Sequence, residues 1–196
     1  MIAGLVFGVL PAAAVKAQTP AQTLNVANWT SPVSVGLNGR PTILKVGETY
    51  HLWYGASDHA LYHSTSTDPA AFSAGTLTTF DQTPIEVASP AIIEEGGVFY
   101  MVYYSPSSNN VFSLYNSTDG DAWTYVKDVL DCTVFPAGTY NKFDAPFLFN
   151  DGGTYRLYFQ LKSFDKTTYR IYTAETDQAV DDYSSFAFTL ANSGNP

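Results

Sequence analysis

The sequence is poor in the residues that build cross-links, metal centres and charged surfaces. It holds one cysteine, Cys132. A single thiol forms no internal disulfide and no zinc site built mainly of cysteine. It reads as a small buried apolar residue rather than a nucleophile. There are three histidines, His51, His59 and His63. His59 and His63 stand four apart, a spacing for one face of a helix, but the segment does not read as helix. Charged residues are 14% of the chain, with nine Lys plus Arg against eighteen Asp plus Glu. Such an acidic chain lacks the electrostatic footprint of a nucleic-acid binder. It is also poorly suited to anionic membrane surfaces, whereas neutral ligands such as sugars remain compatible.

A long apolar run is missing too. Ile2 to Leu10 is too short for a confident bilayer span. Ala12 to Ala14 follow, and cleavage after Ala17 puts Val15 at −3 and Ala17 at −1, so residues 1–17 read as an export signal. No Lys or Arg precedes the run, which points to a start further upstream. The expected location is secreted, extracellular or periplasmic, with no membrane contact after signal removal.

Aromatic residues are plentiful: 15% of the chain, with fourteen Tyr and thirteen Phe. They favour strands over helices and, at this low charge, argue against disorder. The chain then repeats itself. Arg40-Pro41-Thr42-Ile43-Leu44 leads to Tyr50-His51-Leu52-Trp53-Tyr54. Ser89-Pro90-Ala91-Ile92-Ile93 leads to Tyr100-Met101-Val102-Tyr103-Tyr104, and Ala145-Pro146-Phe147-Leu148-Phe149 to Tyr155-Arg156-Leu157-Tyr158-Phe159. Nine or ten residues separate each Pro from its Tyr, and each unit reaches a Thr-Asp pair: Thr67-Asp68, Thr118-Asp119 and Thr176-Asp177. Periods of about 40–50 residues are those of propeller blades. Pro is tolerated where a strand begins, because its missing N–H costs little there. Gly-containing turns predict the first hairpin of each unit. The expected fold is all-β: four-stranded antiparallel propeller blades, three of them complete, at about 38–88, 89–143 and 144–196. Residues 18–37 form an N-terminal segment in which Leu24 to Gly36 supplies a closing strand. Closed propellers need four or more blades, so missing blades or a partner chain are expected to complete the ring.

At these residues the chain resembles the five-bladed propellers of glycoside hydrolase families 43 and 32, over roughly Asn38 to Phe188. Sialidase-type Asp boxes are similar to the turn Ser117-Thr118-Asp119-Gly120-Asp121-Ala122-Trp123. The resemblance implies carboxyl groups converging at the blade starts, one toward water or the sugar and one protonating the leaving oxygen. The third unit has Asp144 there, in Phe143-Asp144-Ala145-Pro146, and it resembles the acid-tuning Asp of family 43 displaced by one residue. It is the expected catalytic residue. The first unit has Arg40 where an Asp is expected, with Asn38 just before it, and the second has Ser89. Asn38, Arg40 and Ser89 are expected to bind substrate, as are Asp58 and His59 in a loop on the same face. Phe164 offers a stacking ring, and Trp29 and Tyr140 are placed in loops of the same kind. Tyr54, Tyr104 and Phe159 end the second strands near that face. Trp53, Tyr103 and Tyr158 are expected to pack between blades. Glu94, Glu95 and Asp151 belong to turns on the opposite face and are rejected as catalytic. Asp119 and Trp123 are expected to brace an outer hairpin. The resembled enzymes can hold an ion on the propeller axis, but no ligand cluster here calls for one, and no cofactor is otherwise expected. The leading reading is a secreted glycoside-hydrolase-like propeller with a carbohydrate ligand. The alternative is a non-catalytic carbohydrate-binding or adhesion propeller, favoured by the missing acid before Pro41.

Overall fold

The computed structural model describes residues 39–55, 60–84, 90–108, 110–131, 135, 140–163 and 168–191. The expected signal peptide and closing strand lie outside these residues. All regular structure among them is β. The first sheet holds β1 (Pro41–Val46), β2 (Thr49–Gly55), β3 (Leu61–Ser66) and β4 (Thr76–Leu77), in that order. β5 (Thr79–Phe80) follows, and then β6 (Ala91–Glu95), β7 (Val98–Tyr104), β8 (Val111–Ser117) and β9 (Ala122–Asp131). The second sheet runs β5-β9-β8-β7-β6. The third runs β10 (Tyr140–Asp151), β11 (Thr154–Ser163), β12 (Tyr169–Thr176) and β13 (Thr189–Leu190). Neighbours are antiparallel, except that β5 pairs parallel to β9. That fifth strand is an addition to the expected four. The chain leaving the first sheet is caught on the second, with the Thr79 N–H donating to the Asp121 carbonyl at 2.8 Å.

The repeat is more regular than the sequence suggests. Each first hairpin turns on two residues: Gly47-Glu48, Gly96-Gly97 or Gly152-Gly153. The register pairs Lys45 with Tyr50, Glu94 with Phe99 and Asn150 with Tyr155. Phe99, not Tyr100, is therefore the counterpart of Tyr50 and Tyr155. Pairing also fixes which face each side chain uses, because neighbours across a strand pair share a face. In the first sheet Thr42, Leu44, His51 and Trp53 share one face. Ala91, Ile93, Tyr100 and Val102 hold the same positions in the second. Both sets pack onto the next sheet: Trp53 and His51 contact Phe99, and Ile93 and Val102 lie in the common core. The second sheet is thus covered on both faces, which explains why β7 is buried from Phe99 through Tyr104. The first strands β1, β6 and β10 lie side by side and line a cleft of about 380 Å³ that includes Ile43, Ile92 and Phe147.

Polar contacts fix the seam between the first two sheets. The turn from β8 to β9 wraps around Asp119, whose Oδ1 accepts the N–H groups of Asp121 and Ala122 at 2.8 and 2.9 Å. Those donors hold its carboxyl below the ordinary value, so Asp119 and Trp123 brace the hairpin as expected. The turn presents the Gly120 carbonyl, which accepts the indole N–H of Trp53 at 2.8 Å and that of Trp123 at 3.1 Å. Gly120 has φ +81°, and a Cβ there would stand 2.9 Å from both Trp53 and His63. Beside it, His63 Nδ1 lies 3.0 Å from Asp121 Oδ1, and His63 Nε2 lies 3.0 Å from His51 Nδ1. When both rings are neutral this chain closes one way: His63 donates to Asp121 and accepts from His51. The His51, His63 and Trp53 rings stack within 8–17° of parallel.

Gly120→Ala is expected to cost about 2–4 kcal/mol, from the wrong backbone region plus overpacking. Urea unfolding checks it, and a neutral result would mean that the turn is not packed as described. Acid should loosen the same seam. Burial, with the nearby His63, lowers the His51 value below 6.5. The folded protein then binds fewer protons than the unfolded chain as pH falls, so this stability is present above pH 6.5 and is lost below it. The urea midpoint should fall between pH 7.5 and 5.5 in the native protein and fall less in His51→Gln.

Candidate functional site

The site is built where the first strands begin. β1 starts on Pro41 and β6 directly after Pro90, as expected of residues with no N–H to lose. β10 departs from this rule. It starts at Tyr140, runs through Asp144, and breaks register between Asp144 and Phe147. Pro146 thus sits inside a bulge rather than at a strand start. A bulge is the place where a sheet tolerates a missing donor, and it re-aims the side chains beside it. Tyr140 accordingly opens a strand instead of lying in a loop.

Asp144 stands at the edge of this bulge, its side chain 24% exposed. Ala145 has φ +46°, a left-handed conformation that costs a non-glycine residue about 1 kcal/mol. That turn brings the Ala145 N–H to Asp144 Oδ1 at 2.9 Å. Two side chains from outside the third sheet reach the same oxygen. The Tyr104 hydroxyl, from the end of β7, donates to the Phe143 carbonyl at 2.8 Å and lies 3.4 Å from Asp144 Oδ1. The Arg40 guanidinium lies 3.5 Å from it, on a side chain 63% exposed. Among the described residues no donor reaches Asp144 Oδ2.

Each partner is held from behind. Phe143 is fully buried, stacked on Phe112 at 4.5 Å and edge-on to Phe159 at 5.0 Å. Tyr104 is fully buried, and its carbonyl accepts the Tyr115 hydroxyl at 3.0 Å. Arg40 follows Gly39, which has φ +123° and passes so close to Gly55 that a Cβ would overlap its carbonyl. The Thr42 hydroxyl donates to the Pro90 carbonyl and ties β1 to the start of β6. One carboxylate is therefore fixed through Oδ1, with no partner at Oδ2 among the described residues and an exposed guanidinium beside it. Such a pair can accept a hydroxyl proton and donate planar N–H groups to a ligand oxygen.

Of the expected site residues, the structure brings Asp144 and Arg40 together. Asn38, Asp58, His59, Ser89 and Phe164 lie outside the described residues, as do Trp29 and Cys132. The aromatic assignments need correction. Tyr54, Tyr104 and Phe159 are buried and offer no stacking face; Phe159 moreover lies in the middle of β11, packed against Phe112 and Phe143, rather than at the strand end. Tyr54 instead accepts the Gly75 N–H at 2.9 Å. Trp53 and Tyr103 pack as expected, but Tyr158, the register counterpart of Trp53, is 39% exposed, since no described sheet covers its face. Glu94, Glu95 and Asp151 lie at the far ends of their strands, beside the hairpins. Glu95 accepts Asn150 and Tyr155 there, both at 2.6 Å, linking the second and third sheets. Tyr104 is the site residue that the sequence reading missed as a hydrogen-bond donor. Its position at the close of an aromatic strand was visible, but its contact with a residue forty positions on was not. No group of three or more His, Cys, Asp or Glu able to hold a metal occurs among the described residues.

No protein-family model matches the chain, and no curated protein does. Solved structures do. An α-L-arabinofuranosidase of family 43 from Clostridium thermocellum aligns at 14% identity and TM-score 0.54, over 77% of this chain and 49% of its own. The family 32 β-fructofuranosidase of Bombyx mori aligns at 18% and 0.55, over 79% and 36%. An N-acetylgalactosamine deacetylase from F. plautii aligns at 16% and 0.57, over 75% and 51%. The chain spans about half or less of the length of these proteins. At such identities the likeness concerns the fold alone: three all-β sheets arranged as in the propellers of glycoside-hydrolase type.

Proposed function

We propose that this protein handles carbohydrate at the strand starts where Arg40 and Asp144 meet, as a secreted, glycoside-hydrolase-like propeller. The observation that carries the reading is the bulge at Asp144. A strained Ala145, a buried Tyr104 hydroxyl and the exposed Arg40 guanidinium gather at one partly exposed carboxylate. Strain and bulges of this kind gather at functional sites. In the proposed reaction water adds its hydroxyl to the anomeric carbon and a proton goes to the leaving oxygen, with Asp144 among the carboxyl groups that manage the charge. Further blades would complete a five-bladed ring and bring the other carboxyl groups. Asn38, Asp58, His59, Ser89 and Phe164 are proposed to contact the sugar around this centre.

A second reading has its own observation. Arg40 stands where the resemblance calls for an acid, and it pairs with Asp144. A site with that exchange would bind sugar without cleaving it. The deacetylase among the similar structures supports keeping the two apart, since one fold hosts several chemistries.

The test is hydrolysis of arabinan, xylan, fructan and mannan oligosaccharides by the full chain and by Asp144→Asn and Arg40→Ala. The hydrolase reading expects turnover that falls about 10²–10⁴-fold in Asp144→Asn. Calorimetric binding without turnover, weakened about tenfold in Arg40→Ala, would select the binding module. Turnover indifferent to Asp144→Asn, or no binding at all, would remove this site from the account.

A further inference from the structure

The chain has three arginines, Arg40, Arg156 and Arg170. Arg156 shows what a structural arginine does in this protein. Its Nε and Nη1 donate to Asp151 and Glu175, so two carboxylates hold the guanidinium on the sheet. Arg40 differs. Its Nη1 lies 3.5 Å from Asp144 Oδ1, and the side chain forms no hydrogen bond among the described residues. A formed bond between a guanidinium and a carboxylate spans about 2.7–2.9 Å. The contact with Asp144 is therefore attraction without a formed bond, and on so exposed a side chain such attraction is weak. The backbone under Arg40 is nevertheless closely fixed. Gly39 passes against Gly55 where no Cβ would fit, Pro41 fixes its own φ on the other side, and Thr42 holds the Pro90 carbonyl. A rigid backbone beneath an uncommitted guanidinium is the arrangement of a group held ready for a ligand.

We propose that the sugar bound at this site is an acidic one: a uronic acid whose carboxylate is held by Arg40 while a neighbouring hydroxyl donates to Asp144. This rests on the carbohydrate function proposed for the same site and narrows it. The planar fork of a guanidinium matches a carboxylate through two parallel N–H donors, and a bond to an ionised acceptor is about twice as strong as one to a neutral hydroxyl. Asp144 has the opposite chemistry. An ionised carboxylate only accepts, and no donor reaches its Oδ2 among the described residues. A uronic acid answers both groups, because its carboxylate and a hydroxyl stand on adjacent ring carbons. A neutral sugar brings hydroxyls alone, and a simple carboxylate gives Asp144 nothing to accept. The formal charge of −9 works against an anion. At physiological salt, however, distant charges are screened over about 8 Å, so the guanidinium in contact decides. The nearest acid, Asp144, meets the hydroxyl proton of the ligand rather than its carboxylate.

Calorimetric titration of the full chain tests this, with oligogalacturonate, oligoguluronate and glucuronic-acid-bearing xylo-oligosaccharide, each beside its methyl ester. Esterification removes the charge and leaves the ring hydroxyls in place. At least one acid should bind about tenfold or more tightly than its ester. Arg40→Gln, a change at an exposed side chain, should abolish that preference. Arg40→Lys keeps the charge without the planar fork, and its preference should fall between the two. Acid and ester bound alike would overturn the proposal and leave the carbohydrate function standing. So would an acid preference that survives in Arg40→Gln, or binding of neutral arabinan, xylan, fructan or mannan oligosaccharides with none of the acids. Failure to bind any sugar would remove both.

Discussion

The carbonyl oxygen of Gly120 holds two indole N–H groups from two different sheets, and the placement of the first strands depends on that contact. Trp53 belongs to the first sheet and Trp123 to the second. Both are nearly or fully buried, so an unpaired N–H on either would carry the penalty of a buried donor without water. One acceptor satisfies both. It can do so because Gly120 has no Cβ and takes a backbone conformation that other residues avoid. The Asp121–His63–His51 chain closes over the same turn, and the buried His51 in it adds acid sensitivity to an otherwise aromatic seam.

The consequences reach the site through rigid strands. The seam sets β1 against β6, and the Thr42 hydroxyl on the Pro90 carbonyl carries that alignment to the strand starts. Arg40 extends from there. On the other side Glu95, Asn150 and Tyr155 lock the hairpin ends of the second and third sheets together. Tyr104, at the opposite end of the second sheet, then meets Phe143 and Asp144. Asp144 is thus positioned by contacts from all three sheets, and this is the kind of support that a site needs if its geometry is to survive thermal motion.

Much of the fold was legible. The aromatic second strands, the Gly turns and the Pro-led repeat gave the sheets and their hairpins, because those signals are local. The second-strand aromatic was read one residue late in the second unit, where Phe99 and Tyr100 stand side by side and pattern alone does not choose between them. The bulge at Asp144 was not legible, since Pro146 looks like the other two prolines until pairing shows Phe143 and Asp144 already in a strand. Tyr158 was expected in the core because it aligns with Trp53. Its exposure depends on whether a neighbouring sheet is present, and no single strand encodes that. Asp144 and Arg40 could be singled out from their places beside the repeat, but their meeting across 104 residues of sequence, and the Tyr104 hydroxyl beside Asp144, follow from sheet packing.

The central claim is that carbohydrate is met at the strand starts and not at the hairpin ends. Chemical-shift mapping with a xylo- or arabino-oligosaccharide tests it most directly. The account predicts that the Ala145 amide and the Arg40 Nε–H resonance move on titration, while the amides of Gly47, Gly97 and Gly153 in the hairpin turns stay in place. Shifts confined to the turns, with Ala145 and Arg40 unmoved, would contradict it.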